Sequence, residues 1–117
     1  MHEASAAEAI VAIVSAEAAA RKATRISRIS LVLGEATGYM RESLEFYLAA
    51  IARGSPAEGA ALDIRYVKAT LRCPSCDLEF ERRRFTFECP ACGTRGLMTE
   101  TGSEFYVDSI DIEEASI

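Results

Sequence analysis

Cys73-Pro74-Ser75-Cys76 and Cys89-Pro90-Ala91-Cys92-Gly93, separated by Asp77 to Glu88, decide how this chain is divided. Each is a C-x-x-C knuckle, whose two-residue gap lets both sulfurs face one ion, and four thiolates suit tetrahedral zinc. The stretch between them carries Phe80, Phe85 and Phe87, enough for a short hairpin but too little for a core. Metal binding must therefore supply much of its folding energy. Four cysteine ligands leave no open position for water or substrate, so the site is read as structural and not catalytic. A redox dithiol and an iron-sulfur centre compete for the same spacing, but the twin knuckle argues against a lone redox pair.

Outward from the knuckles, residues 61 to 71 and 104 to 112 both read as strands. Each changes phase partway, from Leu62, Ile64 and Tyr66 to Val67, Ala69 and Leu71, and from Phe105 and Val107 to Ile110 and Ile112. A bulge or twist near Tyr66 explains the first slip. The pair is expected to run as long partners that bend together, carrying the cysteine segment like a head on a two-stranded neck. Upstream, Met40, Leu44, Tyr47, Leu48 and Ile51 recur at helical spacing, with Glu42 in the first turn, Arg53 in the last and Gly54 as a left-handed stop. Ile29, Leu31 and Leu33 alternate with Arg28, Ser30 and Val32, as a half-buried strand requires. Ser5-Ala6-Ala7-Glu8 has capping-box form and predicts a helix to about Lys22, with Ile10, Ile13 and Val14 on one side.

The order helix, strand, helix, strand, insert, strand predicts an α+β fold. It is a small mixed three-stranded sheet with two helices on one face, plus a zinc-ribbon-like insertion holding the four cysteines. The expected boundaries are an α/β domain of residues 1–71 and 99–117 and a zinc-binding domain of residues 72–98.

Met1-His2-Glu3 holds the single histidine. The amine of Met1, the amide nitrogen and imidazole of His2 and the amide nitrogen of Glu3 can converge on one ion as a planar nitrogen set, which suits Ni(II) or Cu(II), whereas zinc prefers the thiolates. The Glu3 carboxylate can add an outer contact or a weak axial ligand, or simply favour the start of a helix.

Composition removes several function classes. The 117 residues carry a net charge of -5 and an isoelectric point near 4.9, a field that repels phosphate backbones, so nucleic acid is not an expected partner. Arg82-Arg83-Arg84 is read as a solvated hairpin tip, with an acidic partner protein as the alternative. The longest apolar run, Ala9 to Val14, is far too short to span a membrane, and the start lacks the form of a signal peptide, so a cytoplasmic protein without membrane insertion is expected.

Taken together, Met1-His2-Glu3 with Ser5, Leu33-Gly34-Glu35, Glu42 with Leu44-Glu45-Phe46, Gly54-Ser55, Ala57-Glu58-Gly59-Ala60, the two knuckles and Gly102-Ser103-Glu104-Phe105 resemble the HypA family of hydrogenase maturation nickel metallochaperones. The resemblance covers nearly the whole chain. It implies nickel bound by His2 with Glu3 assisting, and structural zinc on Cys73, Cys76, Cys89 and Cys92. It also implies the GTPase HypB as partner, the large subunit of [NiFe] hydrogenase as recipient, and a carrier that is not an enzyme. Ala4, Tyr39, Arg41 and Ser55 depart from frequent family residues without touching a metal ligand. A zinc-ribbon nucleic-acid module and a purely structural adaptor with an inert N-terminus are the rival readings.

Overall fold

The computed structural model describes residues 3–83 and 86–114. Met1, His2, Arg84 and Phe85 lie outside the described residues, and with them the two nickel ligands expected at the chain start and part of the expected hairpin. The elements run α1 (Glu3–Ala20), β1 (Ala23–Gly34), a 3-10 turn (Glu35–Thr37), α2 (Arg41–Ile51), β2 (Ala61–Val67), β3 (Thr70–Arg72), β4 (Glu79–Glu81), β5 (Leu97–Met98) and β6 (Phe105–Glu114). The α+β class with two helices holds. Two compact units are formed: Met1–Val32, Tyr39–Arg65 and Tyr106–Ile117 make the first, and Leu33–Gly38 with Tyr66–Phe105 the second.

In the first unit α1 and α2 pack on each other. Its core consists of Ile10, Val14 and Ala18 from α1, Ile26, Ile29 and Leu31 from β1, and Leu44 and Leu48 from α2, all buried. These helical positions fall four residues apart, a spacing that brings side chains onto one face. Helix α1 begins at Glu3, two residues before the expected Ser5 cap. Lys22, with φ 56°, takes the left-handed position that ends it. α2 ends at Ile51 with Ala52 as its C-cap, so Arg53, expected in the last turn, and Gly54, expected as the stop, both lie beyond it; Gly54 is left-handed, with φ 77°.

The sheet order is β2-β1-β6. The expected direct pairing of the two strands flanking the insert is thus overturned, because β1 lies between them. The reason is burial. β1 is twelve residues long, and every residue from Leu31 to Gly34 is buried, so its expected alternation fails at Val32, which is 1% exposed. A strand covered on both faces belongs in the middle of a sheet. Arg28 records the same placement, lying 3.9 Å from Asp63 on β2 and 3.5 Å from Asp111 on β6. These exposed pairs contribute about 0 to 1 kcal/mol each, so they report the strand order without setting it.

The phase slip in residues 61 to 71 is a break between two strands. β2 ends at Val67 and β3 starts at Thr70 as the centre of a second sheet, β4-β3-β5. β6 keeps its slip within one strand, with Phe105 and Val107 half-buried, then Ile110 and Ile112. In the second sheet β3 pairs antiparallel with β4, Leu71 opposite Phe80, and with β5, Leu71 opposite Met98.

Candidate metal centre

Both knuckles close by one hydrogen-bond pattern. The N–H of Asp77 donates to the Cys73 carbonyl at 2.9 Å, and that of Gly93 to the Cys89 carbonyl at 2.9 Å. The N–H of Cys73 reaches the Leu78 carbonyl at 2.9 Å, and that of Cys89 the Thr94 carbonyl at 2.8 Å. Such a tight reversal needs a left-handed residue after the second cysteine, supplied by Gly93 with φ 78° and by Asp77 with φ 62°. Glycine takes that conformation freely and aspartate is among the few others that tolerate it. Arg72 holds Asp77 from outside at 3.2 Å.

Within each knuckle a backbone N–H turns to the first sulfur: Cys76 N–H to Cys73 Sγ and Ala91 N–H to Cys89 Sγ, both 3.4 Å. Such bonds favour the thiolate, the form that binds metal. Across the knuckles, Cys73 Sγ lies 3.4 Å from Cys92 Sγ and Cys76 Sγ 3.6 Å from Cys89 Sγ. All four sulfurs fall within 4.8 Å of one another. Tetrahedral zinc with bonds of about 2.3 Å places its sulfurs about 3.8 Å apart, so the donor set fits in number, type and spacing. Cys73 and Cys89 are buried while Cys76 and Cys92 are exposed. Among the described residues this is the single group of three or more His, Cys, Asp or Glu side chains converging on one point.

The thiols share their protons unequally. Hydrogen bonding with the side chain and backbone of Thr94 pulls Cys92 down to about 6. Cys76 is pushed up to about 12: the Leu78 N–H pulls it down, but Cys89 and Cys73 outweigh that. Burial raises Cys89, yet the N–H groups of Ala91 and Cys92 leave it lowered overall. Four neighbouring sulfurs cannot all be charged unless a cation offsets the repulsion, and that is the chemistry of a metal site. Thr94, which lies 3.4 Å from Cys92 Sγ, and Asp77 were not singled out from the sequence. Their place just after the second cysteine of each knuckle was the available signal.

At the chain start the described structure holds Glu3 alone of the three expected nickel residues. It sits in the first turn of α1 and is 7% exposed, the one buried charged residue among those described. A carboxylate so placed needs compensating partners. Backbone N–H groups, its own and that of Met40, help hold its carboxyl below the usual carboxylate range. Arg41, the first residue of α2, donates to the Leu62 carbonyl at 3.0 Å. The Ser55 hydroxyl donates to the Ala52 carbonyl at 2.7 Å.

Residues 1–112 match the HypA family, described as hydrogenase/urease nickel incorporation, metallochaperone. The hydrogenase maturation factor HypA of Caldanaerobacter subterraneus subsp. tengcongensis is 40% identical over 97% of this chain and 100% of its own length. That of Chlorobium limicola is 43% identical over 97% of this chain and 98% of its own. The solution structure of the Ni metallochaperone HypA from Helicobacter pylori superposes with a TM-score of 0.66 at 23% identity, covering 98% of this chain and 100% of that one, so the two share a fold.

Proposed function

This chain belongs to the HypA family of nickel-incorporation metallochaperones, and from that premise we propose that it binds Ni(II) at its N-terminus and delivers it to the large subunit of [NiFe] hydrogenase. The reading is carried by the family match over residues 1–112, which takes in Met1-His2-Glu3 as well as both knuckles. His2 is the principal ligand, with the Met1 amine and Glu3 as contributors, and the maturation GTPase HypB is the partner. Cys73, Cys76, Cys89 and Cys92 hold structural zinc, which when bound ties the two knuckles together. The protein is a cytoplasmic carrier and not an enzyme; no described helix is long and apolar enough to cross a membrane.

Ligand exchange is the mechanism suited to such a site. Amine, imidazole and amide nitrogens must each be free of protons to bind nickel, so capture weakens as pH falls. A recipient that supplies its own ligands one at a time can take the ion without its release into water. Glu3, seated in the first turn of a helix with a packed core behind it, supplies the fixed side of the hook.

Nickel titration of the wild type and His2→Ala, with zinc measured in parallel, tests the proposal. His2→Ala is expected to lose nickel binding and keep one zinc per chain; nickel binding that survives refutes the N-terminal site. Extending the chain before Met1 converts the amine to an amide and is expected to weaken nickel binding. An unchanged affinity removes the amine from the ligand set.

A further inference from the structure

Phe87, between the two knuckles, is flanked by two guanidinium groups: Arg95 Cζ lies 4.8 Å from the ring centroid and Arg82 Cζ 5.6 Å. Both fall within the range of cation–π attraction, about 6 Å. A guanidinium resting against a ring loses little entropy on meeting a ligand and keeps its in-plane N–H donors, the fork that matches a carboxylate. Arg82 already pairs with Glu35 at 3.7 Å. Among the described residues Arg83 donates to a backbone carbonyl, that of Glu88, at 3.5 Å. Among the described residues neither Arg83 nor Arg95 forms an ion pair with a carboxylate.

Two hollows border the ring, of about 210 Å³ beside Arg82 and Arg83 and about 400 Å³ beside Arg95 and Gly93. The stretch from 82 to 95 holds four arginines against one glutamate in a chain whose net charge is -5, so its charge opposes that of the whole. The strand that follows, β5, leaves Leu97 60% and Met98 50% exposed. Arginine, methionine and aromatic side chains are the types enriched where proteins meet.

We propose that this arginine-flanked face of the second unit is a docking surface for an acidic segment of a partner protein, with Arg83 and Arg95 receiving adjacent Asp or Glu carboxylates. The surface is read independently of nickel binding. Charge complementarity selects the occupant. A nucleic acid fits less well because Phe87 is already engaged by guanidinium groups, while the acidic remainder of the chain repels a phosphate backbone.

The test uses the zinc-loaded full chain and a fluorescein-labelled hexaglutamate peptide, followed by fluorescence anisotropy. Labelled hexaserine and a six-nucleotide single-stranded DNA serve as comparison probes. The acidic peptide is expected to bind at least tenfold more tightly than either, and more weakly as salt is raised. Arg83→Gln with Arg95→Gln is expected to cost at least tenfold in affinity at unchanged zinc content, while Arg28→Gln, on β1, leaves it unchanged. If the double variant loses zinc, Arg83→Gln alone, whose side chain has no ring contact of its own among the described residues, is expected to cost at least threefold. Equal peptide binding by the variants, no peptide binding by the wild type, or tighter binding of the DNA overturns the proposal.

Discussion

Gly34→Ala isolates a contact that no dihedral argument would find. Gly34 has φ -77° and ψ 144°, which any residue adopts, so alanine meets no backbone strain there. Its Cβ, however, would stand 1.9 Å from the Gly102 carbonyl oxygen, 2.2 Å from the carbonyl carbon and 2.7 Å from the Glu104 nitrogen. All three are backbone atoms, so no side chain can swing aside. The two segments are held together by Gly34 N–H to the Glu104 carbonyl at 2.6 Å and Ala36 N–H to the Gly102 carbonyl at 2.7 Å. Moving the Gly102 carbonyl back by the ångström or so required opens both bonds, at about 1 kcal/mol each. Overpacking adds about 1 to 3 kcal/mol. The sum, about 3 to 5 kcal/mol, lowers a urea midpoint by about 2 to 3 M at a slope near 1.5 kcal/mol/M. Urea unfolding of the zinc-loaded protein followed by circular dichroism measures it. Gly38→Ala is the control, since Gly38 has φ 74° but nothing within 4 Å, and should cost only the left-handed penalty of about 1 to 2 kcal/mol. A Gly34→Ala loss no larger than that of Gly38→Ala would refute the clash.

Replacing Cys73 or Cys76 by serine is expected to abolish stoichiometric zinc binding, with Cys73→Ser the more disruptive because that sulfur is buried; metal analysis and thermal melting of each variant check this. With Cys76 pushed up to about 12, the metal-free cluster retains that proton at neutral pH, so zinc binding must release at least one. Cys92, pulled down to about 6, gains a proton as pH falls through that value, so more protons are displaced per zinc and affinity drops more steeply below pH 6. Calorimetry in buffers of different ionisation enthalpy reads the count, and zero release at pH 7 would contradict the shared-proton cluster. Asp77→Gly relieves a left-handed residue, by about 1 kcal/mol. It also removes an exposed pair with Arg72, a loss of about 0 to 1 kcal/mol. Zinc retention against a competing chelator is therefore expected to stay level or rise, and a marked fall would show that the Asp77 carboxylate holds the knuckle.

The legible parts of this chain were those whose signal is local. Helix α2 follows from the spacing of its apolar residues, and the knuckles follow from four cysteines whose neighbours repeat. The start of β1 was missed because Thr24, Arg25, Ser27 and Arg28 break the apolar run. They are polar for a reason outside the strand, since Arg25 and Arg28 face acidic residues on its neighbours. Residues 61 to 71 read as one strand from the sequence because periodicity records a change of phase but not whether the chain bulges or changes sheet. The role of Phe87 could not be read at all, because Arg82 and Arg95 are brought to it from five residues before and eight after.

The sequence by itself determined the chemistry: four thiolates at knuckle spacing choose a tetrahedral metal whatever surrounds them, and the family pattern rests on residue identities. Tertiary structure alone decided that β1 separates β2 from β6, that a strand phase slip is a passage between sheets, that Gly34 is required by another backbone, and that arginines gather on Phe87. Ligand identity is a property of a side chain, whereas sheet order and close approach depend on which distant segments bury the same surface. That competition is settled only when the chain is folded.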